Sequence, residues 1–209
     1  RLSLLHPETA RFLQAAAILG KEFPFELAAE LSGLKINHAL QAFDEAKSRH
    51  LLWINSDGVT CSFIHDKIRE TLLEGLSQTQ KRELHIAAAA AIQIRSPEAC
   101  FDLAFHYPAG GDLVHALPPA LEAAATARTM QSLQIAEEFY LIAQKCVSGQ
   151  SSMTRYVIEE GLGDVAMLQG RYAEAASYFK QAGIHAQTQF EKAQICLLYT
   201  SPSPRDQLQ

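Results

Sequence analysis

In Leu51-Leu-Trp-Ile-Asn-Ser-Asp-Gly-Val-Thr-Cys-Ser-Phe-Ile64, two β-prone runs, Leu51–Ile54 and Val59–Ile64, flank Asn55-Ser-Asp57-Gly58. Aliphatic, aromatic and β-branched residues around an Asp-Gly turn predict a β-hairpin. On both sides of it the pattern turns helical. Upstream, Pro7–Leu19 repeats Thr9, Phe12, Leu13, Ala16 and Leu19 at helical spacing, and Gly20 ends the run. Pro24 is well placed to start a second helix through Leu27, Ala28 and Leu31 to Gly33. Asn37 can cap a third, with Leu40, Phe43 and Ala46 on one side. Downstream, helices are expected from Asp66 to Gly75, with Ile68, Leu72 and Leu76 on one stripe, and from about Gln78 to Ile94.

Three short helices followed by a hairpin is the order of a winged helix. The expected fold is therefore mainly α, with residues 1–95 as a winged-helix domain of helices plus one β-hairpin. Such domains often read DNA, which requires a surplus of cations to neutralise phosphates. Residues 1–95 carry eleven Lys or Arg and eleven Asp or Glu, a balance of zero. DNA binding by this segment is disfavoured on that ground, and the net charge of −5 for the whole chain extends the argument to anionic membranes. The longest apolar run, Ile86–Ile92, is far short of the roughly 20 residues a membrane helix needs. Cys61, Cys100, Cys146 and Cys196 are widely spaced, with no Cys-x-x-Cys and no His pair at ligand spacing. They read as buried thiols in a reducing compartment, so a cytoplasmic location is expected and no metal site is.

Both ends look unnatural. Arg1 is not an initiator methionine, and sequence is expected upstream. From about Cys196 to Gln209 the helical pattern breaks, and Cys196-Leu-Leu-Tyr-Thr-Ser-Pro-Ser-Pro-Arg-Asp206 resembles the translation of a common sequencing adapter. Residues 196–209 are read as a non-native tail, the alternative being a natural Ser/Pro linker.

Ser96-Pro97 is the expected boundary of a second domain, 96–195. Within it, Leu162-Gly-Asp-Val-Ala-Met-Leu-Gln-Gly-Arg-Tyr-Ala-Glu-Ala-Ala-Ser-Tyr-Phe-Lys-Gln-Ala182 resembles a tetratricopeptide repeat. The resemblance places Leu162 and Gly163 in a first helix, Gly170 at the turn, and Ala175, Phe179 and Ala182 in a second. Tyr172 and Phe179 are expected to fill the gaps between helices. Ala166 stands where an aromatic is commoner, and the closing Pro is absent. Weaker copies run through Gly111, Ala116, Ala120 and Ala123, and through Ala136, Tyr140 and Ala143, at unequal intervals. Pro118-Pro119 must kink or start a helix. The expectation is an irregular TPR-like array of α-helical hairpins, with helices near 98–107, 112–128, 130–147, 152–169 and 172–190. The alternative is a plain helical bundle with alanine-rich contacts.

A second resemblance covers about residues 2–95. Leu4-Leu-His-Pro-Glu-Thr-Ala-Arg-Phe-Leu-Gln-Ala-Ala-Ala-Ile-Leu-Gly-Lys-Glu-Phe23 resembles the segment that follows the ATPase core in bacterial STAND-type regulators. So do Phe63-Ile-His-Asp-Lys-Ile-Arg-Glu-Thr-Leu-Leu-Glu74 and Gln80-Lys-Arg-Glu-Leu-His85. These AAA-like signalling ATPases are fused to LuxR-type DNA-binding domains, Ser/Thr kinases or nucleotide cyclases. The resemblance implies that His65 and Asp66 face a bound nucleotide, His65 contacting phosphate in the resting ADP state. An imidazole N–H suits a phosphate oxygen, and Asp66 can cap the helix that follows. The plainer alternative leaves Asp66 an N-cap and His65 a half-buried residue, with Arg69 and Glu70 exposed helix charges.

Catalysis finds no foothold in the sequence. Gly20-Lys21 echoes the end of a P-loop, yet Ala15 and Glu22 stand where Gly and Ser or Thr are required. Any P-loop, and with it ATP or ADP, is expected upstream. Asp44-Glu45 and Glu137-Glu138 are adjacent and diverge on a helix. The leading expectation is a regulatory and protein-interaction segment of a signal-transducing STAND ATPase. Its helical repeats would bind a protein or the parent's own neighbouring domains. The alternatives are a stand-alone TPR scaffold and a winged-helix transcription regulator.

Overall fold

A computed structural model describes residues 5–147, 149, 151–189, 191–193 and 195, so residues 196–209, read as a foreign tail, lie outside the described residues. The chain is mainly α-helical with one small antiparallel sheet. It divides into two compact units: one runs to Glu98 and includes Ala109–Gly111, the other comprises Ala99–Pro108 and the residues from Asp112 onward.

The first unit opens with α1 (Pro7–Leu19), whose leading Pro sits where a missing N–H is no loss. Then come β1 (Glu22–Pro24), α2 (Phe25–Leu31), α3 (Ile36–Ser48), β2 (Leu52–Ile54) and β3 (Thr60–Phe63). α4 (Asp66–Glu74) and α5 (Gln78–Arg95) complete it. The expected hairpin is present, with Asp57 building its turn. One Asp57 oxygen accepts from the Val59 and Thr60 amides at 2.9 Å each, and Gly58 takes φ +70°. The hairpin is not alone, however. β1 joins it, in the order β1-β3-β2, through Glu22↔Ser62, Phe23↔Cys61 and Pro24↔Thr60. Nothing local marks those three residues as a strand, because their partner lies forty positions downstream. Pro24 ends this strand and precedes α2.

Alternation divides the sheet into two faces. Phe23, Leu52, Cys61 and Phe63 point into the core, with the Phe23 and Phe63 ring centroids 5.5 Å apart. Burial of Cys61 pushes its thiol up to about 11, with Asp57 adding to the shift. Rings of Phe12, Phe25 and Phe43 join α1, α2 and α3, centroids 5.7–6.5 Å apart. The buried hydroxyl of Thr9 on α1 donates to the Glu45 carboxylate on α3. Two expectations for α3 need correction. Lys35, not Asn37, holds the cap position, and the buried face is Ala39, Ala42, Phe43 and Ala46. Leu40 is 47% exposed, because the stripe is set from Ala39 and Leu40 falls one residue off it. α5 starts on a capping box in which Ser77 and Gln80 satisfy each other's backbone amides, a device the sequence reading passed over.

The second unit holds α6 (Cys100–Gly110) as far as Pro108, α7 (Leu113–Thr129), α8 (Leu133–Cys146), α9 (Ser152–Leu168) and α10 (Tyr172–His185). Pro118 and Pro119 neither start α7 nor precede it. They lie inside it, five and six residues beyond Leu113, and Asp112 caps the helix through the His115 amide. α7 packs along α8, and α9 along α10, as two antiparallel hairpins. They correspond at a 39-residue offset: Ala136, Tyr140 and Ala143 match Ala175, Phe179 and Ala182, all buried. The turns match as well. Gln131 (φ +60°) and Gly170 (φ +77°) take the same left-handed conformation. Behind them, Ser132 N–H bonds Ala127 O at 2.9 Å and Arg171 N–H bonds Ala166 O at 2.8 Å. Cys100 and Cys146 are buried free thiols.

Candidate functional site

His65 and Asp66 lie where β3 ends and α4 begins. Phe63 anchors the strand in the core, and its amide bonds Lys21 O at 2.9 Å. The chain then turns outward at Ile64, leaving both His65 and Asp66 exposed. The capping role expected of Asp66 is not seen. His65 occupies the N-cap, extended at φ −135° and ψ 136° with no side-chain cap bond, and Asp66 is the first helical residue. Its carboxylate instead meets Lys21 Nζ at 3.4 Å.

Lys21 follows Gly20, whose φ of +143° lets the chain leave α1 and enter β1. The end of α1 and the start of α4 are thereby brought together, and Arg69 joins them directly. Its Nε donates to Ala17 O at 2.8 Å, satisfying a carbonyl in the last turn of α1. Arg69 is half-buried, not the exposed helix charge expected of it. No sequence signal marks that role, since the acceptor lies 52 positions upstream on another helix. Next to it, half-buried His85 on α5 has its imidazole pushed down by burial, then by the Arg69 and Lys81 charges.

The junction therefore presents an exposed imidazole at the amino end of a nine-residue helix, with Lys21 and Arg69 already engaged. The Ile68 amide already donates to His65 O at 3.1 Å, so what the junction offers to an outside acceptor is the Asp66 and Lys67 amides and a His65 ring N–H. Among the described residues no group of three or more His, Cys, Asp or Glu could hold a metal ion. No described helix is long and apolar enough to cross a membrane.

The seven residues singled out for hairpin packing take distinct positions. Gly163, Ala175, Phe179 and Ala182 are buried where α9 meets α10, and Leu162 is buried in the cluster that α9 shares with α7 and α8. A Cβ on Gly163 would stand 2.5 Å from the Phe179 ring, so the helices approach because that position is bare. Gly170 forms the turn. Tyr172 departs from expectation: at the first position of α10 it is 40% exposed and fills no gap. Its place is taken by Tyr140, unremarked at this contact in the sequence, whose ring lies 2.3 Å from where a Cβ on Gly161 would be. Arg128 Nη1 pairs with Asp164 Oδ2 at 2.7 Å between α7 and α9, and Arg171 Nη2 with Glu137 Oε2 at 2.7 Å between α10 and α8.

Comparison with protein-family models, with curated proteins and with solved structures finds no match to this chain.

Proposed function

We propose that this chain is the regulatory and protein-interaction segment of a STAND-type signalling ATPase, a winged helix followed by TPR-like repeats. The observation that carries the reading is the setting of the Phe63-to-Glu70 run. Its Phe is a core anchor, its His is presented at the start of α4, and its Arg ties α4 to the end of α1. A residue with no packing role, exposed at a helix amino end, is suited to meeting an anion. The neighbouring Arg fixes the helix that presents it. In this reading His65 donates to a phosphate of resting ADP bound by an ATPase core elsewhere in the parent protein. Asp66 orients the approach through Lys21, and the helical hairpins sense an inducer or hold the protein inactive. The fragment itself performs no chemistry and acts in the cytoplasm.

A ligand shifts a two-state switch only through contacts that differ between the states. A charge-assisted hydrogen bond contributes roughly 1.5–3 kcal/mol, so losing it changes the resting population about tenfold or more. In the complete protein, His65→Ala should raise output without inducer and speed ADP release. Asp66→Asn should do so more weakly. Unchanged basal output and ADP release, with only a lowered melting temperature, would make His65 structural and sink the reading. The paired hairpins favour a second reading, a scaffold that binds a protein partner with no nucleotide involved. A parent protein that binds no nucleotide selects it.

A further inference from the structure

The outer face of the three-stranded sheet is not used by the core. By register, Trp53, Ser62 and Glu22 form one row across it, and Asn55, Thr60 and Pro24 the next. The row is stepped. Ser62 is only 2% exposed, whereas Trp53 on one side is 53% exposed and Glu22 on the other is exposed. The result is an open cleft of about 520 Å³ with the indole as one wall and Glu22 as the other. Two strand spacings separate the walls at the backbone, roughly 9–10 Å. One planar group fits there, stacked on the ring with its edge toward the carboxylate.

The charge is one-sided. Glu22 and Asp57 line the cleft, and no Lys or Arg does. Asp57 is occupied by the Val59 and Thr60 amides and the Thr60 hydroxyl, and Asn55 Oδ1 accepts from the Ser62 hydroxyl. Lys21, adjacent in sequence, points to the opposite face and pairs with Asp66. The Glu22 carboxylate has no ion-pair or hydrogen-bond partner among the described residues. An exposed aromatic face beside an unpaired carboxylate complements a flat, delocalised cation. We propose that this cleft docks an arginine side chain of a partner protein, its guanidinium stacked on Trp53 and hydrogen-bonded to Glu22. The proposal does not depend on the nucleotide-sensing role of His65.

Trp53 is the one tryptophan in the chain, so its emission reports the site directly. Titration with the peptide acetyl-Gly-Arg-Gly-amide should give a saturable change in emission with a midpoint of roughly millimolar concentration, as expected for one contact pair. The same peptide with citrulline, which keeps the shape and loses the charge, should give none. Glu22→Gln should raise the midpoint about 3–10-fold, the effect of losing one charge-assisted hydrogen bond. Glu22 is exposed, and an unchanged melting temperature will show that the variant is folded. Equal responses to the two peptides, no saturation up to about 20 mM, or the parent midpoint in Glu22→Gln would each overturn the proposal.

Discussion

Gly163 is bare because the Phe179 ring occupies the space its Cβ would need, 2.5 Å away. Gly163→Ala gains about 1 kcal/mol of helix propensity, yet overpacking at a fully buried ring costs about 1–3 kcal/mol. A net loss of up to about 2 kcal/mol is expected from urea unfolding. In the Gly163→Ala background, Phe179→Leu should cost less than it does in the parent, since the smaller side chain makes room. Strictly additive losses in that double-mutant cycle would show that the two do not press on each other. The pair was legible in the sequence because small and aromatic residues recur there at helical spacing. Arg69 was not. Its acceptor is a backbone carbonyl on a distant helix, and backbone acceptors leave no trace in side-chain pattern. Tyr172 was misread for a related reason: sequence shows that a ring is available, not which way the first residue of a helix points.

Helices were the most legible elements. Their bounds follow from periodicity, caps and breakers, all local, and α1 spans the residues read from the sequence, Pro7–Leu19. β1 was missed because a three-residue strand ending in Pro has no periodicity of its own. The copy through Ala136, Tyr140 and Ala143 is the weaker one in the sequence, and the turn before it carries Gln131 where the stronger repeat carries Gly170. The backbone treats them alike, both left-handed. For a residue with a Cβ that conformation costs about 1–2 kcal/mol, offset in part by the greater freedom of Gly in the unfolded chain. Gln131→Gly should therefore stabilise the α7–α8 hairpin by about 0.5–1 kcal/mol, seen as a raised urea midpoint with unchanged slope. A loss of stability would mean that the Gln131 side chain makes a contact worth more than the strain.

For the molecule as a whole, acid and base act on the second unit through α9. Burial pushes the Asp164 carboxyl above its ordinary range, against the pull of Arg128, and burial together with Asp164 raises Glu160. In the window above the ordinary Asp value, the folded state therefore holds a proton that the unfolded chain has lost. Lowering pH through that window favours folding, and above it, where both states are ionised, the benefit is gone. Asp164→Asn should flatten the dependence of stability on pH in the window above the ordinary Asp value, measured by chemical unfolding against the parent. An unaltered slope would assign the titration elsewhere. The sequence offers Ser96-Pro97 as a boundary, whereas the contacts divide the chain after Glu98 and join Ala109–Gly111 to the first unit. The path by which the first unit closes was not visible in the sequence, and it follows from the register of β1. The β2–β3 hairpin is local, with Asn55 and Thr60 bonded across a short turn, and such hairpins form in roughly 1–10 μs. β1 pairs only with β3, Glu22 opposite Ser62, so its addition encloses α2, α3 and the whole of β2 in a single ring of chain. The entropy of closing that ring is recovered only once the enclosed helices have collapsed onto α1. β1 is thus the clasp of the first unit, expected to fasten after the β2–β3 hairpin, so that in hydrogen exchange its amides should lose protection before those that bond β2 to β3.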